Sequence, residues 1–305
     1  MKILEVLDKF IEYQTILGLT DKTLHHNKTH IEFFVLWWGN KDIKNISFED
    51  YQKYILYLRG KKKKDSKQKL SSRTIYTYAE ALKSFLKFSF DKGYIKENVY
   101  AEIKLPKFQK KTIQILTETQ IKDILFYYDK NTFYGARNLF IISIILDCVL
   151  RLSEVIKLSI FDFQVANRTI KVNGKGQKQR LVPLTDATLF YFNNYLSQFE
   201  NSSFKPITPL FVDINCLGIT ENAIKCFLWR MRKDLNIPNL HPHLLRHTFA
   251  TMFLLNGGDP LHLQIILGHT TLTMTSHYVH IANQMRIAEQ QIYSPLNKIP
   301  VCHQN

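Results

Sequence analysis

The stretch His243-Leu244-Leu245-Arg246-His247 decides how this chain of 305 residues is interpreted. His243 and Arg246 are three positions apart, so on a helix they lie on the same face. An Arg guanidinium matches a phosphate bidentately, whereas a Lys offers only a point charge, and a His can exchange a proton near neutral pH. One His-x-x-Arg by itself is equally compatible with two polar side chains on an ordinary helix surface. The motif therefore indicates phosphate chemistry only in combination with other residues.

A second histidine and a tyrosine follow this stretch. His269 stands in Leu267-Gly268-His269, and Tyr278 comes nine positions later. A tyrosine hydroxyl, with an ordinary pKa of about 10, is a poor nucleophile until a base takes its proton and cations stabilise the phenolate. The chain has 15 tyrosines, and only the position after Gly268-His269 distinguishes Tyr278. Together these residues suit metal-free attack on a DNA phosphodiester.

A second arginine is predicted upstream, beside a carboxylate. The run 140–150 is apolar except for Ser143 and Asp147, and Arg151-Leu152-Ser153-Glu154 follows it. We predict that a buried helix over this run delivers Arg151 next to Glu154.

A lysine is predicted at the tip of a β-hairpin. Residues 169–172 alternate as a strand does, Gly174-Lys175-Gly176 supplies turn residues, and 180–184 returns as a second strand. A movable ammonium at such a tip can donate a proton to a leaving 5′ oxygen. A solvated basic turn is the alternative interpretation of Lys175.

Arg, Lys, His-x-x-Arg, His and Tyr, in this order, resemble the catalytic set of the tyrosine recombinase, or phage integrase, family. The resemblance implies that Arg151 and Arg246 hold the scissile phosphate. It implies that Lys175 is the general acid toward the 5′-hydroxyl and that His243 assists proton transfer.

The same resemblance assigns roles near the C-terminal end of the motif set. It implies that Tyr278 becomes joined to DNA as a 3′-phosphotyrosine, without a metal or another cofactor. It implies that His269 bonds the phosphate or supports the site, and that Glu154 braces the first arginine. We expect His247 to cap or pack within its own helix and His280 to be peripheral.

Two positions depart from the family pattern. Val149 stands two residues before Arg151, where the family usually has Gly, and a β-branched residue does not easily adopt positive φ. Asn98-Val99 stands where the family often has Asn-Pro at the end of its first domain. We expect neighbouring residues to accommodate Val149 and a loop to tolerate Val99.

Length and composition predict two domains. A chain of this length exceeds what one core comfortably serves. We predict a helical domain over 1–105, a basic, Pro-containing linker over 106–115 and a catalytic domain over 116–305, which opens with a capping box at Thr117 to Gln120.

The first domain is predicted to be a four-helix unit. Apolar residues recur at helical spacing over 3–13, 23–38, 48–58 and 74–90, with Thr20, Ser47 and Ser72 as predicted N-caps. This unit resembles the SAM-like core-binding domain of the family. The predicted fold is therefore mostly α, with a small β-hairpin or sheet in the catalytic domain, and its two domains are expected to form a clamp around DNA.

Charge favours a nucleic-acid partner. The chain has 41 basic and 26 acidic residues and a net charge of +15, which suits a protein that contacts many phosphates. The run Lys61-Lys62-Lys63-Lys64 lies between two predicted helices. It is expected to touch the DNA backbone, or else to form a solvated loop, and in either case to leave base choice unaffected.

Cysteines and apolar runs exclude other classes. The four cysteines have no C-x-x-C pair and no ligand spacing with His, so neither a zinc site nor a disulfide framework is predicted, and a reducing cytoplasm is expected. No apolar run reaches the roughly 18 residues of a membrane helix, and the N-terminus lacks a signal-peptide pattern.

The resemblance implies a site-specific DNA recombinase of the compact, Xer-like kind. The expected roles are chromosome or plasmid dimer resolution, or mobile-element integration and excision. Double-stranded DNA with a recombination site is the expected partner, bound by a homotetramer on two sites, with a second recombinase or accessory protein also in view. Two alternatives stay open, namely a type IB-like topoisomerase and a catalytically silent DNA-binding protein of the same fold.

Overall fold

The computed structural model describes residues 1–63, 68–108, 114–174, 179–200 and 209–287. The chain separates into two compact units, Met1–Lys111 and Thr112–Asn305. Within the described ranges, no helix combines the length and the apolar character that a membrane span requires. The predicted linker stays a prediction, because part of it, 109–113, lies outside the described residues.

The first unit is helical. Its helices are α1 (Ile3–Ile16), α2 (Asp21–Trp38), α3 (Phe48–Gly60), α4 (Ser72–Asp91) and the short α5 (Val99–Glu102). The side chains of Thr20 and Ser47 accept backbone N–H groups as N-caps of α2 and α3, as predicted. The predicted cap Ser72 is wrong by one position, because the Ser71 side chain accepts the Thr74 N–H and Ser72 begins the helix.

The core of the first unit is aromatic at its centre. Phe34 of α2 and Tyr54 of α3 are both fully buried, and their rings meet edge to face with centroids 4.9 Å apart. The Tyr54 hydroxyl is buried without a hydrogen-bond partner among the described residues. Tyr54 therefore contributes through its ring.

The second unit adds a small sheet to a helical framework, so the predicted fold class is confirmed. Its elements are α6 (Glu118–Phe126), α7 (Phe133–Leu146), α8 (Leu152–Val155), β1 (Phe163–Gln164), β2 (Thr169–Asn173), β3 (Gln179–Pro183), α9 (Asp186–Ser197), α10 (Glu221–Asp234), α11 (Pro242–Leu255), α12 (Pro260–Leu267) and α13 (Leu272–Ile287). Helix α11 packs against α7, α12 and α13. The helix that carries His243 and Arg246 is therefore packed against α13, which carries Tyr278, and α12, which precedes His269.

The helix expected to run to Leu150 ends earlier. α7 stops at Leu146, Val149 takes a left-handed conformation at φ 58°, and the Leu150 N–H reaches back to the Ile144 carbonyl at 3.4 Å. The chain reverses there, and Arg151 becomes the N-cap of α8. The apolar run could not reveal this end, because residues 148–150 are as fully buried as the helix before them.

The predicted hairpin is confirmed as β2 and β3. The strands pair antiparallel, with Val172 opposite Arg180 and Ile170 opposite Val182. Opposite residues of an antiparallel pair share one face, so Arg180 lies on the face that buries Val172 and Val182. The hairpin tip 175–178, including Lys175, lies outside the described residues. The short strand β1 adds a third strand on the other side of β2.

Candidate active site

Arg246 is buried in α11 and joins two chain segments. Its guanidinium donates to the Val149 carbonyl and, at 2.6 Å, to the carbonyl of Leu267, the last residue of α12. Burial lowers the pKa of Arg246 to about 10, and the charge of Arg151 acts in the same direction. The side chain remains a cation near neutral pH and fixes the segments before Arg151 and before His269.

Arg151 and Glu154 form the predicted pair. Arg151 Nη1 lies 3.0 Å from Glu154 Oε1, and the Arg151 backbone N–H donates to Oε2 at 2.7 Å. Arg151 Nη2 also reaches the Gly268 carbonyl at 3.3 Å. The Arg151 side chain stays partly exposed, so the carboxylate orients it without removing it from solvent.

Arg180 is a third arginine of the site, and the sequence interpretation missed it. Its Nη1 and Nη2 hold the two oxygens of Glu154 at 2.9 and 2.8 Å, and its Nε donates to the Ile266 carbonyl at 2.9 Å. The strand alternation of 180–184 was the available signal, because it places Arg180 on the same face as buried Val182. Arg180 thereby connects β3, α8 and the end of α12.

The electrostatics of Glu154 follow from its two partners. Burial alone would raise the pKa of this carboxyl, but the hydrogen bonds and charges of Arg180 and Arg151 outweigh burial and lower the net pKa. Glu154 is therefore ionised near neutral pH. One carboxylate faces three guanidinium groups, those of Arg151, Arg180 and Arg246, so the cluster keeps an excess of positive charge suited to a phosphate.

Tyr278 lies within reach of this charge. It is 5% exposed on α13. Burial raises the pKa of its hydroxyl, while the charges of Arg246 and Arg151 oppose that rise. The buried phenol is protonated near neutral pH, beside cations that would stabilise its phenolate.

His247 is hydrogen-bonded to the tyrosine. Its Nδ1 lies 2.8 Å from Tyr278 Oη, and the two ring centroids are 5.6 Å apart. The expectation that His247 caps or packs within its own helix is wrong, because α13 packs on α11 and presents Tyr278 to this ring. Burial, together with the neighbouring His243, lowers the pKa of His247 to about 4, so the imidazole is neutral near pH 7.

His269 also lies beside Tyr278. Gly268 ends α12 in the left-handed conformation, with φ 62°, and this turn directs His269 toward α13. Its Nδ1 lies 3.0 Å from Thr275 Oγ1, and its ring lies nearly parallel to that of Tyr278, with centroids 6.3 Å apart. Burial, and then the charges of Arg246 and Arg151, lower the pKa of His269 to about 4.

The remaining predicted residues lie farther out. His243 is exposed on the first turn of α11, with its ring centroid 6.2 Å from that of His247. Lys175 is outside the described residues, as is Lys64. In the first unit, Lys61 lies over the Phe33 ring, with Nζ 4.1 Å from the centroid.

The end of the lysine run differs from its start. Lys62 and Lys63 are exposed after α3, whereas Lys61 donates to the Tyr57 hydroxyl at 2.8 Å. Lys63 Nζ donates to Gln68 Oε1 at 3.2 Å. Lys62 and Lys63 are both exposed to solvent, which suits contact with a diffuse polyanion.

Val149 takes the conformation that is difficult for its side chain. Its φ of 58° lies in the left-handed region, which a β-branched residue enters at a cost of roughly 1–3 kcal/mol. The side chain is fully buried, and the carbonyl accepts from Arg246. Packing around the side chain and the bond to Arg246 hold the turn in place.

The site therefore combines an electropositive cluster, a buried phenol and neutral imidazoles. Comparisons with known proteins identify the family of the chain. The model described as "Phage integrase family" matches residues 114–285, and that described as "Phage integrase SAM-like domain" matches residues 3–110. The chain belongs to the phage integrase family.

Within that family, the chain resembles tyrosine recombinases of the Xer type over most of its length. It is 31% identical over 281 residues to tyrosine recombinase XerC of Bacillus pumilus (strain SAFR-032), covering 90% of each chain. It is 27% identical over 287 residues to tyrosine recombinase XerD of Staphylococcus haemolyticus (strain JCSC1435), covering 92% of this chain and 94% of that protein.

Solved structures share the fold. The Tn1549 transposon integrase in complex with transposon right end DNA superposes with a TM-score of 0.77 at 21% identity, over 95% of this chain and 99% of that chain. The XerH site-specific recombinase bound to palindromic difH substrate gives a TM-score of 0.70 at 21% identity, over 88% of this chain and 79% of that chain.

Proposed function

We propose that this chain is a site-specific DNA recombinase that cuts and rejoins strands through a 3′-phosphotyrosine link. The observation that carries the proposal is the position of Tyr278, buried beside neutral imidazoles and influenced by the charges of Arg151 and Arg246. A phosphate held by two guanidinium groups at this place would meet a tyrosine hydroxyl. Family membership supports the same activity.

Cleavage follows from the roles of these groups. Tyr278 Oη attacks the phosphorus and forms a P–O bond, while the bond from phosphorus to the 5′ oxygen breaks. Arg151 and Arg246 neutralise the added charge on the non-bridging oxygens, and Lys175 gives a proton to the leaving 5′ oxygen. His243 assists proton transfer, His269 bonds the phosphate or supports the site, and Glu154 orients Arg151.

Rejoining reverses these steps on another strand. The 5′-hydroxyl of a partner strand attacks the phosphotyrosine, and Tyr278 leaves with its proton restored. The phosphotyrosine conserves the energy of the diester, so the exchange needs no nucleotide or metal cofactor. Strand exchange between two duplexes requires four cleavages, which four protomers on two sites would supply.

Double-stranded DNA is the partner in this proposal. The run Lys61 to Lys64 contributes to contact with the DNA backbone, and the protein acts in the cytoplasm. Xer-like dimer resolution and mobile-element integration or excision are the two biological settings, and a second recombinase or accessory protein could complete the complex in either.

The test is recovery of covalent protein–DNA adducts from bacterial cells that express the chain, followed by sequencing of the attached DNA. We expect adducts at a defined locus, their loss in Tyr278→Phe, and their retention in Tyr191→Phe, a control at a half-buried tyrosine of α9. Scattered Tyr278-dependent adducts would indicate a topoisomerase activity instead. Tight DNA binding without any adduct would indicate a catalytically silent DNA-binding protein.

A further inference from the structure

The Tyr278 hydroxyl has one side-chain hydrogen-bond partner in the described part of the chain, His247. The contact is 2.8 Å from Oη to Nδ1, within the range that a general base needs. It joins two helices that pack together, α11 and α13. This histidine lies outside the set that the family resemblance assigns, so its contact with Tyr278 requires its own explanation.

A buried phenol requires a base close to it. Burial raises the pKa of Tyr278, so water is a poor acceptor at this position. His269 places its Nδ1 against Thr275 Oγ1 at 3.0 Å and stacks beside the tyrosine ring. His243 is exposed one turn away, with its ring centroid 6.2 Å from that of His247. Of the three, His247 is the imidazole that directly bonds the reacting oxygen.

We propose that His247 is the general base that takes the proton of Tyr278 through Nδ1 as the tyrosine attacks the phosphate. The proposal rests on the recombinase function above. In the step, the O–H proton passes to Nδ1, and the oxygen electron pair forms the bond to phosphorus. The electrons of the breaking P–O bond leave with the 5′ oxygen. Rejoining returns the proton from His247 to Tyr278, so each cycle ends with a neutral imidazole.

The charges around His247 suit a transient proton carrier. His243 and Arg246 lie on its own helix, His241 is the N-cap residue of that helix, and His277 lies on α13. All four disfavour the imidazolium form. The ring is therefore neutral and ready to accept before the reaction. Once protonated, it returns the proton readily. A base of this kind acts with Nε2 protonated and Nδ1 free.

The experiment uses single-turnover adduct formation by the full chain on the DNA recovered from Tyr278-dependent adducts. His247→Gln keeps a polar side chain but cannot take up a proton, and His247→Ala leaves space for added imidazole. Loss of a general base typically slows a reaction by about 10²–10⁴-fold, and we expect both variants to fall in that range. Imidazole should restore at least about tenfold in the Ala variant and nothing in the Gln variant. His280→Ala, at an exposed position of α13, is the control and should keep the original rate.

A substrate with sulfur in place of the bridging 5′ oxygen separates the base from the acid. A thiolate leaves without protonation and needs no general acid. This substrate should therefore restore the rate of adduct formation by Lys175→Ala, and should leave that of His247→Ala slow. Because a misfolded variant would also be slow, each variant is first required to unfold at the denaturant midpoint of the unmodified chain.

The outcomes divide cleanly. His247→Gln within about threefold of the unmodified rate overturns the base role. A folded His247→Ala variant whose slow rate is not restored by imidazole, or is restored by the sulfur substrate, also overturns it. Absence of Tyr278-dependent adducts in the unmodified chain refutes the recombinase function itself, and this role with it. Rescue by imidazole on the natural substrate alone supports the proposal.

Discussion

Replacing Arg180 by Met removes one partner of the buried ion pair between Arg180 and Glu154. Glu154 is the carboxylate that orients Arg151. Glu154 and Arg180 side chains are 5% and 10% exposed, and the guanidinium holds both carboxylate oxygens. Met retains most of the apolar volume of the Arg stem. The variant therefore tests the charge and the hydrogen bonds with little loss of packing.

The expected loss follows from what remains around Glu154. Removing one partner of a buried ion pair typically costs about 3–5 kcal/mol, because the other charge stays buried without compensation. Arg151 and its backbone N–H still contact both oxygens of Glu154 in the variant. We therefore expect the lower end, about 3 kcal/mol of unfolding free energy of the second unit.

The assay is urea denaturation, with hydrogen exchange of the β2 amides to assign the transition to the second unit. Arg168→Met is the matched control, since Arg168 pairs with Asp186 at the surface, where the side chains are 61% and 82% exposed. An exposed pair contributes about 0–1 kcal/mol. We expect the Arg180 variant to lose at least about 2 kcal/mol more than the control.

Acid provides an independent check. The folded-state pKa of Glu154 is lowered, so its stabilising contribution is complete above the ordinary carboxyl pKa of about 4.3. It is lost as the pH falls through the folded-state value. The difference in unfolding free energy between Arg180→Met and the unmodified chain should therefore become smaller below about pH 4. A loss no larger than that of Arg168→Met, or a difference independent of acid, would refute this account of Glu154.

Three further substitutions test local geometry by urea denaturation. Gly268→Ala should cost about 1–2 kcal/mol, because Gly268 has φ 62° and a Cβ would lie 3.1 Å from Arg180 Cδ; an unchanged midpoint would contradict this. Val149→Gly should lower the free energy of unfolding by at least about 1 kcal/mol less than Val182→Gly, because relief of the positive φ offsets the lost burial. Val182 is the control, a fully buried residue of a strand. Equal losses would show that Val149 is not strained. Tyr54→Phe should leave stability unchanged or raise it by up to about 1 kcal/mol, since the buried hydroxyl has no partner in the described residues, and a clear loss would mean that it has one.

Local features of this chain were well predicted from the sequence. The caps Thr20, Ser47 and Thr117 depend on a side chain that bonds an N–H a few residues away. The hairpin depends on strand alternation around turn residues, and its strands pair as expected. Both effects act over a few positions, and a linear pattern contains them in full.

The order of Arg151, His243, Arg246, His269 and Tyr278 was likewise sufficient to identify the family. The order did not reveal which side chains touch. Arg151 and Glu154 are neighbours on one short helix, so their pairing was predictable. Arg180 meets the same carboxylate from a different element, 26 positions away in sequence, and no local pattern indicates that contact.

The sequence by itself therefore determined the four long helices of the first unit, the two strands of the hairpin and the family. Only the tertiary structure decided that α7 ends at Leu146, that Val149 adopts positive φ, and that His247 bonds Tyr278. These depend on packing between elements far apart in the chain, which places α13 on α11 and the turn before Arg151 on Arg246. Hydrophobic burial draws such elements together without encoding at any single position which polar groups will meet.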